Sequence, residues 1–164
     1  MLRSLALALV LAGWLGVGPA EAAGGFSRKP VYIDPALRGW APFLTTLCFR
    51  AGCAEDYFVA GAYIGRQRDL NVVCKSQRVF ERLDREQLGA FATRLARHLG
   101  AVVEDIARDD LVDGVVLTFY CLYRDGEETR LEVYQCCLPA HSFGSLGPVP
   151  LRVEDRRSVY APRP

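Results

Sequence analysis

Histidine is scarce in this 164-residue chain: only His98 and His141 occur, beside one methionine and two tryptophans. That leaves little material for histidine-based metal ligation or general base catalysis. The only asparagine, Asn71, precedes Val72 and Val73, so no N-x-Ser/Thr glycosylation acceptor is present. Beyond the opening residues no apolar run approaches 18, and no transmembrane segment is expected in the mature chain. The nucleophile elbow G-x-S-x-G is missing, since Gly144, Ser145 and Gly147 have the wrong spacing. Lysine is nearly missing too, Lys29 and Lys75 standing against eighteen arginines. The formal net charge is only +1, which argues against broad electrostatic attraction to nucleic acid. No cofactor is expected.

What is there begins with a leader. Arg3 supplies a basic start, residues 5–17 form an unbroken apolar run, and Gly18-Pro19 break it. Ala20-Glu21-Ala22 then has the small-x-small form of a signal peptidase site, so residues 1–22 are expected to be a secretory signal peptide. Thirteen apolar residues in a helix span roughly 20 Å, short of the roughly 30 Å hydrocarbon core, which disfavours a retained anchor. Cleavage would leave roughly 140 residues, enough for one domain with its own core. The expected location is secreted or periplasmic, with envelope association through a partner.

All six cysteines follow the leader: Cys48, Cys53, Cys74, Cys121, Cys136 and Cys137. An even count in an exported chain predicts three disulfides. Cys136 and Cys137 point to opposite faces if they lie in a strand, so they are expected to reach different partners. Cys48 and Cys53 flank a short loop and can pair if Gly52 permits a tight return. Only that C-x₄-C spacing approaches a zinc pair, and no second pair matches it; no metal site is expected.

The chain divides into a single α+β domain over 23–138 and a proline-rich tail over 139–164. Asp34-Pro35 is a helix start, with a helix expected over 42–50. Residues 57–64 and 70–74 predict a hairpin around a polar loop. Asp84 and Gln87 have capping-box spacing, and Leu88, Phe91, Ala92, Leu95, Leu99, Val102, Val103 and Ile106 follow at helical intervals. A helix over 85–107 with one buried stripe results, Gly100 being the one candidate early stop. Asp125-Gly126 marks the turn of a second hairpin, 115–124 with 127–138. The expected register sets Tyr120 opposite Leu131 and Phe119 opposite Glu132. Val116, Tyr120, Leu122, Leu131 and Val133 would then face the helix, leaving Phe119, Tyr123 and Tyr134 half exposed. Residues 149–153 are expected to add an edge strand. The predicted fold is a mostly antiparallel sheet of two hairpins packed on one long amphipathic helix, stapled by disulfides.

No constellation of catalytic residues stands out. His98 lies at the edge of the helical stripe beside Arg94 and Arg97, and His141 sits next to Ser142 in the tail. Glu104, Asp105, Asp109, Asp110 and Asp113 oppose the dipole of a helix C-terminus, yet their spacing does not fit a calcium loop. The arginines are the more suggestive set, because arginine is enriched in protein interfaces. The expected function is a secreted, non-catalytic protein-binding module: an inhibitor, or an accessory subunit of a cell- or virion-envelope complex. Candidate partner contacts are Tyr123, Arg130, Glu132 and Tyr134 on the hairpin, with Arg94 and Arg97 on the helix. The alternatives are a small hydrolase built on His98, or a ligand carrier whose cavity is lined by Tyr57, Phe58, Tyr63 and Phe91.

Overall fold

The computed structural model of the chain describes residues 24–140, 148 and 150–159, and of 155–159 only the backbone. The expected leader, His141 and Ser142 lie outside those residues. After strand β1 (Tyr32–Ile33), the Asp34 carboxylate accepts a hydrogen bond from the Ala36 amide at 2.9 Å and starts a 3-10 helix, Pro35–Trp40. Two short helices follow, α1 (Ala41–Thr45) and α2 (Leu47–Arg50), forming one bent helical segment where a single helix was predicted.

The first hairpin pairs β2 (Tyr57–Ile64) with β3 (Asp69–Ser76). Its poorly strand-forming Ala60-Gly61-Ala62 stretch has a structural cause. The pairing skips Ala60 as a bulge, and β1 runs alongside Gly61, where a Cβ would sit 3.2 Å from the Tyr32 carbonyl oxygen.

Helix α3 (Arg85–Arg108) matches the predicted element. The Asp84 carboxylate caps the Gln87 amide at 3.0 Å, and all eight predicted stripe residues are buried, with Ala96 added. Gly100 does not end it. The stop comes at Asp109, followed by Asp110 in the left-handed region at φ 56°.

The second hairpin, β4 (Gly114–Asp125) with β5 (Glu128–Pro139), turns one residue later than predicted. Asp125 pairs with Glu128 around Gly126-Glu127, so Tyr120 opposes Val133 and Phe119 opposes Tyr134. Gly126 has φ 66° at the first of the two loop positions, where a type II′ turn takes glycine. The tail contributes β6 (Arg152–Val159), antiparallel to β5.

The predicted sheet and its staples need correction. The six strands form one mixed sheet in the order β1-β2-β3-β4-β5-β6, and both the β1·β2 and β3·β4 pairings are parallel. The two hairpins are therefore joined side by side through β3 and β4, and α3 is the crossover between them. Local patterning reveals each hairpin but not how the two abut.

That parallel join also inverts the expected faces. In β3, Leu70, Val72 and Cys74 alternate with Asp69, Asn71 and Lys75, so its helix-facing side is unambiguous. The β3·β4 register sets Leu70 beside Val115, Val72 beside Leu117 and Cys74 beside Phe119, which carries those β4 residues to the helix side. Val116, Tyr120, Leu122, Leu131 and Val133 consequently occupy the opposite face, while Phe119, Tyr123 and Tyr134 are buried. Tyr57 is the hub beneath α3, with ring centroids 5.6 Å from Phe80, 5.9 Å from Phe91 and 5.5 Å from Phe119.

No disulfide forms: Cys48, Cys53, Cys74, Cys121, Cys136 and Cys137 are all free thiols. Five are buried and pack as small apolar side chains among the core residues. Cys136 and Cys137 do point to opposite faces, but Cys137 is exposed and no second cysteine shares its surface. An even count thus does not translate into pairs here.

Candidate functional site

The predicted contact residues separate into two groups. Tyr123, Glu132 and Tyr134 are buried on the helix side of the sheet, so they present no surface to a partner. Arg130 lies nearer the turn, ion-paired with Glu128 and, at 3.7 Å, with Asp125. Arg94 is half buried and Arg97 exposed on the outer face of α3.

The link between the groups is Arg85, in the first turn of α3. Its guanidinium lies 3.5 Å from the Glu132 carboxylate and stacks over the Tyr134 ring, 5.9 Å from its centroid. The neighbouring Tyr134 and the charge of Glu132 raise the Arg85 pKa further, while burial is the main cause that pushes the Tyr134 hydroxyl up to about 12. Arg85 is thereby held toward β5.

At the other end of the same helix face, the Arg94 Nε donates to the Ala51 carbonyl at 2.8 Å, and its guanidinium lies over Phe91, 4.8 Å from the centroid. On the groove face between these anchors α3 presents the small residues Gly89, Ala90 and Thr93. The Thr93 hydroxyl is turned back onto the Gly89 carbonyl at 2.8 Å. Large side chains at either end and small ones between leave a groove of about 490 Å³ that Pro148 also lines, with Leu151 Cδ1 3.8 Å from where a Gly89 Cβ would stand. Its charged residues are Arg85, Arg94, Arg97 and Glu86. The small residues at 89–90 between long charged ones are the signal in the sequence, and the arginines are the part of it that composition singles out.

The other candidates do not assemble. His98 is exposed and makes no hydrogen bond or ion pair with any described residue, so it has no orienting carboxylate. Tyr57 and Phe91 are core, Tyr63 is 39% exposed, and the four proposed carrier residues do not share a cavity. Tyr57 and Phe58 do border a smaller pocket of about 210 Å³ with Lys29, Thr45, Cys48 and Phe49. The acidic cluster is answered locally: Arg108 pairs with Asp105 at 3.3 Å, and Arg68 of the first hairpin reaches Asp113 at 3.5 Å and the Asp110 carbonyl. Among the described residues no group of histidine, cysteine and carboxylate side chains is arranged to hold a metal ion, and no helix is long and apolar enough to cross a membrane.

Four of the thiols, Cys48, Cys53, Cys121 and Cys136, are held protonated. Burial pushes Cys121 and Cys136 up to about 12, and Glu132 adds to the effect on Cys121. Cys121 is bonded to the Tyr57 hydroxyl at 3.4 Å. Cys53 is pushed up by its hydrogen bond to Cys48 and then by burial. Cys48 is drawn down by Cys53 but raised on balance by Cys74 and burial. Protonated buried thiols are poor nucleophiles.

No protein-family model, no curated protein and no solved structure matches this chain.

Proposed function

We propose that this chain is an exported, non-catalytic protein-binding module, an inhibitor or an accessory subunit of a cell- or virion-envelope complex, and that it engages its partner through the groove on α3. The observation that carries this reading is the groove itself: three arginines around a floor of small residues on the outer side of α3. Arginine supplies planar, multiply donating contacts and is over-represented among residues that dominate interface energy. A concave floor lets a partner side chain seat and desolvate its surroundings, which a flat charged helix does not.

The sheet edges are weaker candidates. β1 is two residues long, and five of the eight residues of β6 are charged, a composition that discourages strand addition. The test is site-specific photo-crosslinking in the producing cell, with a photoreactive residue at Glu86 on the groove rim and, as control, at Arg124 on the hairpin tip. One discrete adduct from position 86 and none from 124 supports the reading. Absence of any adduct at 86, or equal labelling at both positions, refutes it.

A further inference from the structure

Resting on that reading, we infer that the segment held in the groove is acidic and partly apolar: a carboxylate gripped by Arg94 and Arg97, next to an apolar side chain seated on Ala90.

Arg94 carries the argument. Its Nε is committed to the Ala51 carbonyl and its plane lies against Phe91, while its two terminal amino groups have no partner among the described residues. A guanidinium fixed at Nε with both Nη groups free is pre-organised for two parallel bonds to a carboxylate, and little rotamer entropy remains to be lost. Arg97 stands one turn further on, exposed, with no hydrogen bond or ion pair to any described residue. One end of the groove thus holds two cations with no counter-charge among the described residues.

The other end differs. Arg85 is turned to Glu132 and Tyr134, and Glu86 adds a carboxylate beside it. Arg85 and Arg94 lie nine residues apart, about 13 Å along the axis, and lean on different elements, so one small anion cannot bridge them. A uniformly charged polyanion would meet Glu86, and the chain's net charge of +1 gives it no long-range attraction. The pattern cation, small apolar floor, carboxylate selects a segment with its acids at one end only.

The experiment is fluorescence polarisation with the purified full chain and a labelled peptide, Gly-Ser-Leu-Gly-Glu-Glu-Asp. Its neutral counterpart carries glutamine and asparagine at the last three positions. Saturable binding of the acidic peptide and at least tenfold weaker binding of the neutral one are expected. Arg97→Gln, an exposed site that does not threaten folding, should weaken binding about fivefold. Arg94→Gln should weaken it tenfold or more, each tenfold being about 1.4 kcal/mol. Ala90→Trp, also exposed, should abolish it by filling the floor, and Arg124→Gln should change nothing. Equal binding of the two peptides, or wild-type affinity in both Arg97→Gln and Ala90→Trp, overturns the inference. Displacement by inorganic phosphate or a heparin hexasaccharide at lower concentration than the peptide itself overturns it in favour of a simple anion site. A photo-adduct at Glu86 without acidic-peptide binding would sink this inference and leave the binding-module reading standing; no adduct would sink the reading itself.

Discussion

Replacing Phe119 by alanine tests whether the parallel join orients the second hairpin as described. Phe119 is fully buried, 5.5 Å from Tyr57, and sits beside Cys74 in the β3·β4 register. Removing a buried ring forfeits its transfer free energy and leaves a cavity under α3, together about 3–5 kcal/mol. Tyr120, one residue away on the opposite face, touches Phe26 edge-on at 6.5 Å and Lys75 at 5.8 Å. Those contacts are worth about 1 kcal/mol at a partly exposed site. Urea unfolding followed by fluorescence separates the two: with m of about 1.5–2 kcal/mol/M, Phe119→Ala should lower the midpoint by about 2 M and Tyr120→Ala by about 0.5 M. If Tyr120→Ala proves the more damaging, the hairpin faces the helix the other way and the described register is wrong.

Four further outcomes follow. Asp84→Ala removes the α3 cap and should cost about 1 kcal/mol, read as a fall of about 4 °C in Tm. Cysteine titration with a chromogenic disulfide reagent should count six thiols in unreduced, denatured protein but only Cys137 reacting quickly in the native state; fewer than six would contradict the free-thiol core. Cys121 and Cys136 keep their protons to about pH 12 when folded but lose them near 9.0 when unfolded, so above pH 9 the unfolded state binds fewer protons. Their contribution to stability should therefore be constant below pH 9 and fall by about 1.4 kcal/mol per pH unit for each thiol above it, measurable as urea midpoints at pH 8 and 10.5. Gly25→Ala would place a Cβ 2.0 Å from the Gln77 carbonyl oxygen, breaking the contact of residues 24–26 with 76–78; limited proteolysis should then cut near the N-terminal side much faster.

Local chemistry was the readable part of this chain. The Asp84 cap, the stripe from Leu88 to Ile106 and the glycine at 126 identify α3 and both hairpins, because each signal acts within a few residues. The parallel pairing was not readable, since nothing in residues 69–76 or 114–125 states which neighbour they take. The error in faces followed from that. Both sides of β4 are apolar, and alternation chooses between them only once β3, with Asp69, Asn71 and Lys75 on its outer side, is laid alongside. The cysteines misled for another reason, since a thiol that packs is written the same way as one that pairs. Of the groove, Arg94 and Arg97 were visible as outer-face cations, whereas the tyrosines and Glu132 of the second hairpin went with the wrong face. Arg85 became significant only once β5 was placed beneath it.

The side-by-side joining of the hairpins has a kinetic consequence. Within the first hairpin, Ile64 meets Leu70 across a loop of a few residues, whereas Leu70 meets Val115 only after about 45 residues are closed. At (3/2)RT per logarithm of length, that closure costs about 2 kcal/mol more than the hairpin, before any core burial offsets it. Hairpins form in microseconds, so each half should gain its own ladder early and wait for the other. Until α3 brings β4 alongside β3, the inner edge of each hairpin is an unpaired row of amides and carbonyls. Two copies of the chain in that condition can complete one another's sheet, so refolding yield should fall steeply with protein concentration even though the finished sheet hides both edges.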